Sequence, residues 1–356
     1  INLSEGLTTI YAYAFENCTG ITNIHLPDSI TTMGYKVFGG CSNLESANYP
    51  VNWVNSPSGN GSNSYEYGNV FSGCPKLTEM EIPEGVKVIA PHSFANLTTL
   101  TSVTLPSSLT EIGNHAFAGA TGLTEVTIPE NTQIIRNHAF ADCTNLTQIN
   151  LSEGLTTIYA YAFVNCTGIT SIHLPDSITT MGYKVFGGCS NLESANYPVN
   201  WVNSPSGNGS NSYEYGNVFS GCPKLTEIEI PEGVKVIAPH SSANLTTLTG
   251  VTLPSSLTEI GAYAFAGATG LTEVTFPSNT KTIRDYAFAD CAGLKDIYIP
   301  DSTTDIRKAV FENCPQLTIH CSYYSMATIY AIENNIPFEQ IGTYTDSAET
   351  VLDRSD

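Results

Sequence analysis

Positive charge is scarce in this sequence of 356 residues: Lys and Arg total 13 against 33 Asp and Glu, and they stand singly along the chain. No basic stripe is left to neutralise phosphates, which argues against nucleic acid and anionic membrane as partners. Long hydrophobic runs are missing too. Nothing approaches the roughly 18–20 apolar residues of a membrane span, so no membrane insertion is expected of this fragment. The start, Ile1-Asn2-Leu3-Ser4-Glu5-Gly6, lacks the basic residues and apolar stretch of a signal peptide. It falls in the middle of a repeat, so an upstream segment is expected. Catalytic signatures are absent as well: there is no Gly-x-Ser-x-Gly, no His-Glu-x-x-His and no phosphate-cradling glycine loop. The sequence therefore assigns no catalytic residue, no cofactor and no metal. Charged residues make up only 13 % against 41 % hydrophobic, a balance that excludes disorder despite a formal net charge of -20.

What is present is a repeat. The segment that opens at Leu100 restarts at Leu123 and again at Leu146, a period of 23 residues, and units begin likewise at Ile21, Leu44, Leu77, Ile169, Leu192, Leu225, Leu248, Leu271, Leu294 and Leu317. Units of this size cannot bury their own apolar face and must stack into a solenoid. A longer period lies above it: Asn2-Leu3-Ser4-Glu5-Gly6-Leu7 returns as Asn150-Leu151-Ser152-Glu153-Gly154-Leu155, an offset of 148 residues that marks a duplicated six-unit block. The copies differ at Phe94 and Ser242, Asn114-His115 and Ala262-Tyr263, and Glu16 and Val164.

Within a unit, Val103 and Leu105 alternate with polar residues and predict a short strand, which Pro106 ends because it cannot donate to a ladder. Leu109 and Ile112 pack inward on the return path, Gly113 permits a turn, and Ala116-Phe117 starts a helical turn whose ring fills the centre. Thirteen stacked units predict an arc of roughly 60 Å. After Leu317 the repeat signals stop, and Met326, Ile329 and Tyr330 carry helical spacing ahead of Pro337. The expected organisation is a solenoid over 1–316 with two insert-bearing units at 44–76 and 192–224, a helical cap over 317–341, and a polar tail over 342–356.

The unit Leu-x-x-Val-x-Leu-Pro-x-x-Leu-x-x-Ile-Gly-x-x-Ala-Phe-x-x-Cys resembles the BspA-like, or Treponema pallidum-type, leucine-rich repeats over nearly the whole chain. The resemblance implies an α/β repeat fold, a right-handed solenoid with a parallel β-sheet and short helical turns. It also implies a secreted or cell-surface location, and in some members adhesion to host matrix proteins such as fibronectin and fibrinogen. It carries over no catalytic residue.

Three sets of residues stand out. Nine of the ten cysteines fall three residues after the repeat Phe or its equivalent, in a column that elsewhere holds Leu97, Ala120, Leu245 and Ala268, which marks a small buried slot for free thiols. His92, His115 and His138 share one column with Tyr13, Lys36 and Tyr161, a pattern that permits zinc but fits a tolerant solvent edge better. The candidate ligand contacts lie in two further places. The inserts contain both tryptophans, Trp53 and Trp201, with Tyr65 and Tyr67 in the first copy and Tyr213 and Tyr215 in the second, set among Asn, Ser and Gly as in loop-based binding sites. Equally, Trp53 and Trp201 would fold back to cover solenoid side chains. The outward strand columns carry Glu79, Glu81, Glu227 and Glu229, with Glu125, Glu273, His25 and His173 on the same face, a surface suited to a partner or simply to solvation. The function that follows is a non-catalytic, extracellular binding module for a matrix or host surface protein. A carbohydrate-binding module using the aromatic inserts and a structural spacer are the alternatives.

Overall fold

Apolar and polar residues alternate along Ser102–Thr104 and Glu125–Thr127, so one side of each short strand is apolar and the other polar. The computed structural model describes residues 1, 3–54, 69–202 and 218–341. Ser102–Thr104 runs parallel to Glu79–Glu81, with Glu79 opposite Ser102 and Glu81 opposite Thr104. The same leg recurs at Gln148–Asn150, Glu273–Thr275 and Asp296–Tyr298. Its inward residues Met80, Val126, Val274 and Ile297 are buried, while Val103 and Leu105 are half-buried. The result is a parallel-strand solenoid of about thirteen turns.

The return path is a second ladder. After Pro106 the chain turns tightly, Leu109 N–H donating to the Pro106 carbonyl at 3.1 Å. Residue pairs from Val88–Ile89 to Thr180–Met181 then stack into a five-stranded parallel sheet, with Ile89, Ile112, Ile135, Ile158 and Met181 in one buried column. Gly113 serves a close approach: its N–H donates to Ile89 O at 3.0 Å, and a Cβ there would lie 2.5 Å from that same oxygen.

The third leg, around Phe117, is built of single 3₁₀-type turns whose peptides alternate between two uses. Ala116, Ala118 and Ala120 donate three residues back along the chain, to Gly113, His115 and Phe117. The residues between them donate forward to the next turn of the solenoid, Phe117 to Ala139 O and Gly119 to Ala141 O, both at 2.7 Å. This alternation requires left-handed backbone two residues before and two after the ring. The later position is Asn, Asp or Gly throughout, as at Asn96, Gly119 and Asp142, the residue types that tolerate positive φ best.

At the C-terminus the helix Met326–Glu333 covers the last turns, with Ser325 as N-cap accepting from Thr328 N–H at 3.2 Å. Its buried residues are Ala327, Thr328, Tyr330 and Ala331; Met326 and Ile329 of the expected stripe are exposed. Past the helix, Phe338–Gln340 adds one more parallel strand on Thr318–Cys321.

Phe15, Phe38, Phe71, Phe94, Phe117, Phe140, Phe163, Phe186 and Phe219 stack through the interior with neighbouring ring centroids 5.0–6.3 Å apart. The stack is interrupted at Ser242, which is buried, and resumes at Phe265 and Phe288. Truncating a core aromatic costs about 3–5 kcal/mol, so the second block is locally weaker at this turn. Ser242→Phe is expected to raise the melting temperature in a calorimetric scan, and an unchanged or lower value would show that the interior has already closed around the serine.

Candidate functional site

Glu79 and Glu81 flank buried Met80, and Glu227 and Glu229 flank buried Ile228, so all four carboxylates lie on the outward side of the first leg and are exposed. Glu125 and Glu273 extend these columns along the solenoid, with His25 and His173 on the same face. Glu79, Glu81, Glu227 and Glu229 have no cationic partner among the described residues. The two blocks nevertheless differ here. In the first block, Glu79–Glu81 and Ser102–Thr104 pair along their whole length. In the second block, Glu229 bridges back to Asn196, while toward Gly250–Thr252 the backbone link is Thr249 N–H to Thr226 O at 3.2 Å. Neither segment is a strand. Sequence reasoning missed this opening; the signal available was Gly250 where the first copy has Ser102, because glycine in a strand interior weakens it.

The inserts divide. Trp53 and Trp201 are among the largest fully buried side chains of the protein. This corrects their reading as contact residues and favours the fold-back alternative. The cause is local: Trp53 N–H donates to the Pro50 carbonyl at 3.1 Å in the same tight turn that sets Leu109 after Pro106, so the indole takes the inward leucine column, and Tyr49 and Trp53, ring centroids 4.8 Å apart, fill the interior there. The Tyr49 hydroxyl accepts from Ala90 N–H at 2.8 Å and donates to Trp53 O at 3.2 Å. Asn48 completes the neighbouring turn, its amide exchanging hydrogen bonds with Leu26 N–H and C=O at 2.7 and 2.8 Å. Tyr197, Trp201 and Asn196 repeat the arrangement. Tyr65, Tyr67, Tyr213 and Tyr215 lie outside the described residues.

The histidine column lies at a half-buried edge, where the equivalent position in an earlier turn holds exposed Tyr13, and its histidines form a ring stack. His92, His115 and His138 have φ of 58°, 54° and 56°, and their half-buried rings stack face to face with centroids 4.6 and 4.5 Å apart, continuing onto Tyr161. Forward hydrogen bonds hold the unusual backbone, as in His115 N–H to Asn137 O at 3.0 Å. Parallel rings carry their nitrogens side by side and do not converge on one point, which is not the geometry of a shared zinc. Among the described residues no group of three or more His, Cys, Asp or Glu is placed to hold a metal ion. Burial lowers the His92 pKa to about 4 and the His115 pKa to about 3, with His138 adding to the effect at His92 and both His92 and His138 at His115. Burial also lowers His138, against the opposing charge of Asp142.

The cysteines occupy the buried slot, but they are more than apolar fillers. Cys143 Sγ donates to Phe117 O at 3.2 Å, Cys166 to Phe140 O at 3.1 Å and Cys189 to Phe163 O at 3.3 Å, so each thiol ties its own turn to the one before. All ten are free thiols. Burial pushes Cys74, Cys143 and Cys222 up to about 12. Cys18 and Cys314 are half-buried, and the neighbouring Cys291 thiol holds Cys314 below its usual value.

Two outcomes follow from these columns. At about pH 8 a thiol reagent should label Cys18 and Cys314 of the native protein first and reach the other eight only on unfolding, without prior reduction; mass mapping of labelled peptides checks this, and early labelling of Cys143 would contradict it. The histidines have folded pKa values below their unfolded value of about 6.5, so the unfolded chain binds more protons at mildly acidic pH. Their contribution to stability is complete above about pH 6.5 and is lost as pH falls toward the folded values near 4 and 3. Replacing His115 and His138 by Tyr, as in the second copy's Tyr263 and Tyr286, should flatten the fall in urea midpoint between about pH 7 and 4.5. An equally steep fall would place the acid sensitivity elsewhere.

The BspA type leucine-rich repeat region matches this chain in six copies, at residues 1–60, 67–197 and 215–338. The chain is similar to a leucine-rich repeat protein from Bacteroides ovatus ATCC 8483, with 26 % identity, 94 % of this chain and 88 % of that one covered, and a TM-score of 0.69. A leucine-rich cell surface protein from Faecalibacterium prausnitzii A2-165 is 23 % identical, with 95 % and 87 % covered and a TM-score of 0.43. The leucine-rich repeat protein of T. pallidum is 19 % identical, with 74 % and 85 % covered and a TM-score of 0.28. No curated protein matches. Among the described residues no helix is long and apolar enough to cross a membrane. With the repeat pattern matched over most of its length and the turns stacked in one register, the chain belongs to the BspA-type leucine-rich repeat family.

Proposed function

We propose that this chain is a non-catalytic, cell-surface or secreted binding module that holds an extracellular protein, such as a matrix or host surface protein, on the outward face of its first-leg strands. One observation carries the proposal: Glu79, Glu81, Glu227 and Glu229 are exposed on the outward side of the first leg, with the intervening Met80 and Ile228 buried in the core. A surface whose backbone is already ordered loses little entropy on binding, which favours recognition by a fixed array of side chains. The family, whose members are typically bacterial surface proteins and generally non-catalytic, supports the location and the absence of chemistry. A carbohydrate site at the inserts now rests on Tyr65, Tyr67, Tyr213 and Tyr215, since the tryptophan rings are buried.

Surface plasmon resonance against immobilised fibronectin, fibrinogen and other matrix proteins tests the proposal. The quadruple variant Glu79→Gln, Glu81→Gln, Glu227→Gln and Glu229→Gln should lose at least about tenfold in affinity for the captured protein while its stability changes little, because exposed substitutions usually stay within about 0.5 kcal/mol. Trp53→Ala should instead lower the melting temperature. Unchanged affinity of the quadruple variant would remove the strand face from the site.

A further inference from the structure

The second block is open where the first block has a paired ladder between Glu79–Glu81 and Ser102–Thr104. Around the opening between Glu227–Glu229 and Gly250–Thr252 lies a shallow groove of about 1390 Å³. Its floor is formed by the first-leg residues from Ser171 to Thr275. Five carboxylates line it and no Lys or Arg does. Two of the five are already engaged: Glu193 faces Lys224 at 3.8 Å, and Glu232 accepts from Ser255 N–H and Oγ at 2.8 and 2.9 Å. Glu227, Glu229 and Glu273 have no cationic partner among the described residues.

We infer that this groove is a docking site for an extended, lysine- or arginine-rich segment of a partner polypeptide, laid along the first-leg strands. The inference rests on the strand-face reading above and adds which block binds and what chemistry it selects. Charge complementarity names the occupant: a groove of unpaired carboxylates on a chain of net charge -20 attracts cations and repels acidic segments. Spacing names its conformation. Glu227 and Glu229 stand on one side of the same segment two residues apart, about 7 Å, which is also the distance between alternate side chains of an extended peptide. The opening adds the second contribution. Where Ser102–Thr104 pairs along its length with Glu79–Glu81, the backbone link from Gly250–Thr252 to the turn before is at Thr249, and Gly250, which lacks the serine side chain of the first copy, leaves that part of the groove floor open to a peptide. Gly250 is the sequence difference at the opening, and a Cβ added there meets nothing within 4 Å, so the first copy's serine fits without clash.

Fluorescence polarisation with a labelled decapeptide of alternating lysine and serine tests this, with an alternating glutamate and serine peptide as the control. The lysine peptide should bind the intact chain, one per chain, and weaken steeply between about 50 and 300 mM salt, as contacts between exposed charges do. Glu227→Gln/Glu229→Gln/Glu273→Gln should weaken it about tenfold, the loss expected when several exposed charge pairs are removed together, while the first-block set Glu79→Gln/Glu81→Gln/Glu125→Gln should change it less than about twofold. Gly250→Ser, which leaves every carboxylate in place, should also weaken binding. Equal losses from the two triple variants, or equal binding of the two peptides, overturns the inference. The matrix-protein capture described above separates the two proposals: capture lost equally in both triple variants leaves the strand-face reading standing without the groove. Peptide binding with no protein captured leaves the groove without that reading.

Discussion

The whole structure depends on one constraint, the backbone hydrogen bond that joins each turn of the solenoid to the next at an offset of one repeat. It operates on all three legs: Glu79 opposite Ser102, Ile112 opposite Ile135, and Phe117 N–H to Ala139 O, which sets Phe117 beside its equivalent Phe140. Because the offset equals the sequence period, equivalent residues stand on top of one another, and every column of the sequence becomes a physical stack. The phenylalanine column becomes a ring stack and the cysteine column a series of thiol to carbonyl links, while the outward glutamates alternate with polar residues such as Ser102 and Thr104. A side chain in such a column is selected as much by its copy one turn away as by its own surroundings.

The insert-bearing units show what happens when the offset changes. Their turns are 33 residues long, yet Phe38 N–H still reaches Val70 O at 2.9 Å and the rings of Phe38 and Phe71 still stack at 5.6 Å. Val54 N–H still reaches Thr31 O at 3.2 Å, one repeat back, and side chains complete the contact with the following turn. Tyr49 brings a hydroxyl to Ala90 N–H, Asn48 mimics a peptide group toward Leu26, and the indole occupies volume. Burying aromatic rings with the Tyr49 hydroxyl and the Asn48 amide satisfied is an economical plug, because an unpaired amide in that position costs about 1–3 kcal/mol. This is why the conspicuous aromatics of the inserts belong to the core.

Much of this was legible before any coordinates. The period, the strand of Val103 and Leu105, the central ring of Phe117 and the buried slot of Cys143 all follow from patterns that recur a dozen times, since repetition averages out the local ambiguity of a single unit. The acidic face was legible for the same reason, from the alternation at Glu79, Met80 and Glu81. Less could be read where the cause is a conformation or a contact between turns. A histidine column suggests metal or solvent; only the left-handed backbone reveals rings piled 4.5 Å apart with depressed basicity. The helix Met326–Glu333 was found by its spacing, but the face it buries was set by Ala327 and Ala331 fitting against the last turns, in place of the larger Met326 and Ile329.

The sequence by itself determined the repeat, the parallel solenoid and the residues that fill or face it, because a pattern of period 23 with an apolar face on each short strand has one economical way to bury itself, by stacking. Only the tertiary structure decided what each column does. Whether Trp53 meets a ligand or the interior, whether the His92 column holds a metal or a ring stack, and whether Gly250–Thr252 joins the sheet or opens it depends on distances between residues a whole turn apart. Those distances are set by the packing of neighbouring turns, which a single unit does not contain.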